Sequence, residues 1–220
     1  TLQLLPGVQS GGEGTSGLYV RGGSPDQNLI LLDGVPLYNV NHLFGFFSVF
    51  NADAISNVSL TKGGFPARYG GRLSSVLEIN MKEGNMNEFH GDATASLISS
   101  KLTLEGPLIK DKASFLISGR RTYLDLVARP FFNSLNQQNP NQQTNPRYYF
   151  YDTNIKVNYK LGKRDRVYIS HFQGKDDFGI RDRYSDSTRT EEFDFGIDWM
   201  NSISAARWNH QWSPKLFSNV

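Results

Sequence analysis

Alternation of apolar and polar residues is the main pattern along this chain, and its clearest stretch runs from Tyr149 to Leu161. The odd positions there carry tyrosine, threonine, isoleucine, valine or leucine, whereas the even positions after Phe150 carry aspartate, asparagine or lysine. A period of two predicts a strand with one apolar face and one polar face. A long strand with tyrosines towards both ends and lysines on its polar face is more typical of a membrane barrel than of a soluble sandwich.

Weaker alternation predicts further strands in the second half of the chain. They fall at 88–98, 101–108, 113–124, 166–176, 195–212 and 216–220. The apolar phase changes between the first two of these, which indicates a turn or bulge near Ser99 and Ser100.

The connections between these strands are alternately short and long. Polar turns are predicted at 109–112, 162–165 and 213–215, and long loops at about 125–148 and 177–194. This asymmetry is typical of outer-membrane barrels. Residues 133–145 are nearly all asparagine, glutamine and proline, so we expect a solvated and mobile loop there.

Residues 1–84 show a different pattern, in which glycines separate short apolar stretches. Strands are predicted at 18–21, 28–32, 58–62 and 75–82, with turn signals between them. One short helix is predicted over 51–56, with Asn51 as its N-cap. The fold class is therefore mainly β, with a compact, turn-rich module over 1–84 and a series of antiparallel strands over 85–220.

Composition excludes several classes of function. The chain has 23 basic and 21 acidic residues, a balance that argues against sequence-independent nucleic-acid binding. Its lack of cysteine excludes disulfides, thiolate zinc sites and iron–sulfur clusters. No apolar run approaches the roughly 18 residues of a transmembrane helix, so a membrane-spanning chain would cross as strands. Thr1 to Pro6 carry no leader signal, so we expect either a removed leader or a start within a longer protein.

No pattern of residues points to catalysis or to a bound metal. Gly12, Gly14 and Gly17 match a dinucleotide-binding spacing, but the residues after them predict a strand instead of a helix. The four histidines are far apart, and the acidic residues of 176–192 lie mostly in a predicted loop that would hold no carboxylate pair rigidly. We therefore expect no catalytic residue, no metal, no cofactor and no enzyme activity.

An ordered set of short motifs is the most specific signal. They are LPGV at 5–8, VRG at 20–22, LLDGVP at 31–36, ISNVSLTKG at 55–63, ARYGGR at 67–72 and VLEIN at 76–80. Followed by barrel-type strands, this set resembles the plug domain of TonB-dependent outer-membrane receptors. The resemblance implies the C-terminal part of a plug over 1–84, a small mixed sheet with glycine-rich turns. It implies about the first seven antiparallel strands of a barrel over 85–220, and hence a fragment of a larger chain.

The same resemblance implies a function and a set of partners. Such a receptor lies in the outer membrane, contacts lipid there, and imports a scarce nutrient with energy from the TonB–ExbB–ExbD complex, which would act through a segment absent from this chain. The substrate classes left open are oligosaccharide, peptide and iron chelate. Residues 38–50 and 63–72 are similar to those of SusC-like receptors that carry a carboxypeptidase-like regulatory domain, which implies a SusD-like surface lipoprotein as a further partner.

Two groups of residues are candidates for these roles. Ligand contacts at the plug apex are predicted for a set of aromatic, amide and imidazole side chains that suit stacking on a sugar, peptide or chelate. They are Tyr38, Asn39, Asn41, His42, Phe44, Phe46 and Phe47. The alternative for these side chains is packing against the barrel wall. Contacts between plug and barrel are predicted for Arg21, Asp33, Arg68 and Arg72, with ordinary surface arginines as the alternative.

Two other classes of protein compete with the receptor. A soluble all-β glycan-binding or adhesion module would use the same aromatic and amide-rich loops, but would need no detergent for extraction. A secreted glycosidase would lose turnover when Asp176, Asp177, Glu191 or Glu192 is substituted.

Overall fold

The N-terminal part of the chain folds around a small mixed sheet. The computed structural model describes residues 8–10, 17–42, 45 and 47–220. The strands of this part are β1 (Val8–Ser10), β2 (Leu18–Val20), β3 (Asn28–Leu32), β4 (Val35–Pro36), β5 (Asn41–His42), β6 (Phe47–Ser48), β7 (Ile55–Thr61) and β8 (Ser75–Met81). Four of them pair in the order β4–β3–β8–β7, with β3 parallel to β8 and the other pairings antiparallel. The mixed sheet agrees with the sequence, although residues 5–7, Gly12 and Gly14 lie outside the described residues.

Two local signals shape this sheet. Asp33 and Gly34 join β3 to β4 with positive φ angles of 49° and 87°, the combination that a two-residue hairpin turn of type I′ requires. The predicted helix over 51–56 is shorter than expected, because only Ala52–Ala54 forms one 3₁₀ turn before β7 begins. Asn51 does cap that turn, since its side-chain oxygen accepts from the Asp53 amide at 3.2 Å.

The rest of the chain forms one antiparallel sheet, which we call the wall. Its strands are β9 (His90–Ala95), β10 (Ser99–Ile109), β11 (Ala113–Thr122), β12 (Gln142–Lys160), β13 (Asp165–Ser185), β14 (Thr190–Ser213) and β15 (Leu216–Asn219). All seven lie in chain order and pair with their sequence neighbours. The three short polar turns are present where they were predicted, between β10 and β11, β12 and β13, and β14 and β15.

The two faces of the wall differ as the alternation predicts. Even-numbered residues of β12 from Tyr148 to Asn158 are buried, and this face carries the plug. The opposite face exposes an apolar band of Leu104, Ile117, Ile155, Ile169 and Trp208. Strands need about 9–11 residues to cross a bilayer, so β12, β13 and β14, with 19, 21 and 24 residues, extend well beyond one. Among the described residues, no helix is both long and apolar enough to cross a membrane.

One hydrophobic cluster joins the plug to the wall. Ile30, Leu32, Leu77 and Ile79 of the plug sheet contribute one side of it. Leu116 of β11 and Phe172 of β13 contribute buried side chains from the wall.

The first predicted long loop, 125–148, is wrong, because it contains a helix and the beginning of β12. Helix α1 (Leu124–Gln138) follows β11 directly. It lies where β11 would otherwise continue beside β12, and the side-chain amide of Asn136 replaces a strand partner there. That amide accepts from the Thr144 N–H at 2.8 Å and donates to the Thr144 carbonyl at 3.1 Å. The predicted mobile loop is therefore wrong, because an asparagine side chain can form the hydrogen bonds that a neighbouring strand would otherwise form.

The second predicted long loop, 177–194, is also wrong. Strands β13 and β14 continue to a tight turn at 186–189. Asp186 closes this turn, since its Oδ1 accepts from the amides of Thr188 and Arg189 at 2.7 and 2.9 Å. Those bonds, led by the side-chain bond from Thr188, lower the pKa of Asp186 to about 2.

The connection from plug to wall is fixed by contacts of Glu83 and by the close packing of Gly84. The Glu83 carbonyl accepts from the Ser114 hydroxyl at 2.7 Å, and its carboxylate accepts from Arg166 at 2.7 Å. Gly84 follows with φ +78°, and a β-carbon there would overlap the backbone of Phe115. Only glycine fits this crossing point.

Candidate functional site

The predicted ligand residues occupy the segment that leads into and out of the β5–β6 hairpin. Tyr38 is 68% exposed, and Asn39 is also exposed, with a positive φ of 27°. Asn41 and Phe47 are half-buried within the hairpin. Phe44 and Phe46 lie outside the described residues. The structure thus brings Tyr38 and Asn39 to the surface, whereas their role in binding stays a prediction.

His42 belongs to a different environment, because it is only 1% exposed. Its Nε2 lies 2.6 Å from Asp152 Oδ1 on β12, and its Nδ1 lies 2.5 Å from Asp176 Oδ2 on β13. The ring also stacks on Phe150, with centroids 4.0 Å apart and planes at 8°. For this residue, the geometry is that of packing against the wall.

Both carboxylates have second partners, which completes a buried cluster. Arg120 of β11 donates to Asp152 through Nε at 2.8 Å and also through Nη2, and its Nη2 donates to the Ser48 carbonyl of the plug at 2.6 Å. Tyr148 donates its hydroxyl to Asp176 at 2.8 Å. We call His42, Arg120, Tyr148, Asp152 and Asp176 the His42 cluster.

The His42 cluster changes the acidity of the imidazole. Burial is the largest influence and favours the neutral ring, but the hydrogen bonds with Asp152 and Asp176 together outweigh it. The pKa of His42 is therefore raised above its ordinary value of 6.5.

Asp33 forms a second buried link between plug and wall. Lys156 of β12, which is 2% exposed, donates to Asp33 Oδ1 at 3.0 Å and to the Met81 carbonyl at 3.1 Å. The same Asp33 oxygen accepts from the Met81 amide at 3.0 Å. The charge of Lys156 is thus satisfied by one carboxylate and one carbonyl of the plug.

Further links between plug and wall surround these two. Lys101 lies 2.5 Å from Asp53, Arg166 lies 2.7 Å from Glu83, and Asn51 donates to Ser118 at 2.6 Å. The surface between plug and wall is therefore mainly polar, with hydrophobic contact concentrated around Leu116 and Phe172.

The three arginines predicted to contact the barrel are placed mainly by contacts inside the plug. Arg68 donates to the Tyr69 hydroxyl at 2.5 Å, and Arg72 donates to the Gly71 carbonyl at 2.7 Å. Arg21 adopts a positive φ of 50° and lies beside Gly63. Their pairing with barrel carboxylates stays a prediction.

Sequence reasoning missed most of the wall residues in these clusters. The acidic residues of 176–192 were expected mostly in a solvated loop, whereas Asp176 is a buried residue inside a long strand. Asp152 and Lys156 were recognised only as members of a polar face. The available signal was the charge on that face, since a buried charge requires a partner of opposite sign from another element.

The fold and these contacts define a class of protein, a barrel wall of antiparallel strands with a separate plug on its inner face. Residues 1–75 match the family described as the TonB-dependent receptor plug domain. Over these residues the chain is similar to the TonB-dependent receptors. This match favours a receptor over the soluble all-β module and the secreted glycosidase.

Individual proteins support the same family. The chain is 30% identical over 147 residues to the probable TonB-dependent siderophore receptor PirA of Acinetobacter baumannii, a match that covers 54% of this chain and 19% of that protein. The crystal structure of PirA from A. baumannii superposes with a TM-score of 0.53 and 17% identity, covering 99% of this chain and 43% of that one. A variant of the ferric enterobactin receptor PfeA from Pseudomonas aeruginosa gives 0.51 and 15%, covering 99% and 41%.

The two solved structures show the shared fold alone at these identities. The chain spans about two fifths of each solved receptor and 19% of the curated relative that it matches. It thus contains a plug domain and part of a barrel wall.

Proposed function

We propose that this protein is an outer-membrane receptor that binds a scarce iron chelate above its plug and imports it with energy from the TonB–ExbB–ExbD complex. The proposal rests on one observation. A domain that matches the plug family over residues 1–75 packs on the polar face of a barrel-type wall. The relatives are siderophore receptors, which favours a siderophore over an oligosaccharide or a peptide as the substrate.

The exposed part of the plug supports a role in recognition. Tyr38 offers an aromatic face and Asn39 an amide, and both are exposed beside the hairpin that His42 fixes. Planar chelates bind through stacking and a few placed polar groups, which these side chains can supply. Asn201 of β14 donates to the Asn39 carbonyl at 2.9 Å, so the wall supports this segment from one side.

Uptake of labelled iron by cells that carry the full-length receptor tests the proposal. We expect uptake of a ferric siderophore that is lost on deletion of the receptor and on collapse of the proton gradient. Tyr38→Ala should weaken binding by about fivefold, since one stacking contact is worth about 1 kcal/mol. Tyr19→Ala is the matched control, because Tyr19 is an exposed tyrosine on β2, outside the 38–50 segment.

Two results would contradict this function. Uptake of glycans or peptides without any uptake of iron chelates would replace the proposed substrate. An equal loss of affinity in the Tyr38 and Tyr19 variants would remove the proposed binding segment. The proposal also includes a SusD-like surface lipoprotein, as the similarity of residues 38–50 and 63–72 to SusC-like receptors implies.

A further inference from the structure

The His42 cluster has a property that nutrient import by itself does not require. A carboxylate only accepts hydrogen bonds, and both ring nitrogens of His42 contact one. A neutral imidazole has a single N–H and can satisfy only one of them. The doubly protonated imidazolium satisfies both carboxylates at once.

The balance of charge in the cluster leads to the same conclusion. Arg120 and protonated His42 carry two positive charges against the two negative charges of Asp152 and Asp176. Loss of one proton from His42 would leave a net negative charge in a buried site. It would also place an imidazole lone pair against a carboxylate oxygen, and neither change is tolerated far from water.

We propose that His42, Asp152 and Asp176 form a proton-dependent latch that holds the β5–β6 hairpin of the plug against β12 and β13, and that deprotonation of His42 releases the hairpin. The groups that face His42 are Asp152, Tyr148 and Phe150 from β12, Asp176 from β13, and Arg120 from β11 through Asp152. His42 is the one imidazole among these groups.

Further contacts also join the hairpin to the wall. Arg120 donates to the Ser48 carbonyl, and Phe47 packs on Phe150 with centroids 5.5 Å apart. The hairpin itself has only two residues in each strand. Such a short element is stabilised mainly by what it packs against. Its position therefore depends on its contacts with the wall, and among these the contacts of His42 change with protonation.

The direction of the pH effect follows from the raised pKa. The stabilisation from His42 is fully present below its ordinary pKa of 6.5, and it is lost as the pH rises through the raised value. The latch is thus closed below the ordinary histidine pKa of 6.5 and opens at higher pH, once the pH has risen through the raised pKa.

Hydrogen exchange of the purified full-length receptor tests the latch without any ligand. Exchange of the amides of 39–42 and 47–50, corrected for the intrinsic effect of pH, is followed between about pH 6 and about pH 9.5. We expect protection of these amides to fall by about tenfold or more across this range, because His42 loses its proton.

Asp176→Asn is the decisive variant. An asparagine amide can donate to an unprotonated Nδ1 while Nε2–H donates to Asp152, so a neutral His42 would be fully satisfied. We expect this variant to stay closed across the whole range of pH. His42→Gln should be unprotected at every pH. His171→Gln is the matched control, because His171 contacts the Ser204 hydroxyl on the opposite face and should follow the wild type.

Protection of the wild-type hairpin that does not change with pH would overturn the latch. So would a pH profile of Asp176→Asn that equals that of the wild type, and this result is informative even when His42→Gln fails to fold. Because exchange is measured without ligand, failure of the latch leaves the proposed import function untouched, and the converse also holds.

Discussion

Single buried charges determine how the plug sits on the wall. Lys156 is covered almost completely, and it donates to Asp33 and to the Met81 carbonyl of the plug. Removing the partner of a buried charge is strongly destabilising. Docking of the plug on the wall therefore depends on the buried pair of Lys156 and Asp33 more strongly than on an exposed ion pair.

Lys156→Met is expected to destabilise the docked plug by about 3–5 kcal/mol, because it strands the buried charge of Asp33. Denaturant unfolding of the purified full-length receptor, followed by a probe in the plug, measures the change in free energy. Adding Asp33→Asn to this variant should restore much of the stability. Lys101→Met is the control, since its pair with Asp53 is partly exposed and should cost less than about 1 kcal/mol. Equal losses from Lys156→Met and Lys101→Met would contradict the argument.

At the residue scale, the sequence predicted the types of side chain in contact but not their partners. Asp33 and His42 were both identified, and both lie between plug and wall. His42 is 110 and 134 residues from its two aspartates. Alternation predicts which face such residues share, but it gives no register between a plug and a strand that are so far apart in the chain.

Strand length is the main feature at the scale of elements. The long hairpin of β13 and β14 exists because Asp186 closes its turn through the amides of Thr188 and Arg189. Aspartate commonly stabilises turns by accepting from amides two and three residues ahead.

Asp186→Ala is expected to open the turn and fray the outer end of this hairpin. Limited proteolysis of the full-length receptor should show new cleavage near 186–189, with the inner part of β13 unchanged. Ser187→Ala, one residue away, is the matched control and should be cut as slowly as the wild type. Because the pKa of Asp186 is about 2, its role should be lost only in strong acid. Equal cleavage of the two variants would show that Asp186 does not hold the turn.

The sequence predicted least well the elements in which polar side chains form hydrogen bonds that backbone groups usually form. The short polar turns and the strands with clear alternation were predicted correctly. The amide-rich segment after α1 and the acidic end of β13 were mistaken for loops. Composition alone does not distinguish an asparagine that pairs with a strand edge, as Asn136 does, from one that is solvated.

At the scale of the whole molecule, the two faces of the wall need different surroundings. The outer face of the wall exposes the apolar band around Ile155 and Ile169, whereas the inner face is charged and covered by the plug. An apolar face of this kind requires lipid or detergent. The order of the plug motifs followed by alternating strands was enough to predict this arrangement, since each part was recognisable without its partner.

Extraction of the full-length receptor from its native outer membrane tests both surfaces. We expect it to stay in the membrane in buffer alone and to leave it in mild detergent, because the apolar band must stay covered. The mass of the extracted complex should exceed that of the receptor by one lipoprotein. A receptor that is released without detergent would contradict the barrel, and a lone receptor would contradict the lipoprotein.

The crossing point at Glu83 and Gly84 has a mechanical consequence. One end of the plug is fastened to the first residues of β11 through Ser114 and is tied to β13 through Arg166. A force applied nearer the start of the chain would therefore act on a plug whose other end is held at Glu83 and Gly84. We expect the segments far from this attachment to move most and the strand β8 beside it to move least. Any side chain at position 84 would overlap the backbone of Phe115 and so weaken the attachment.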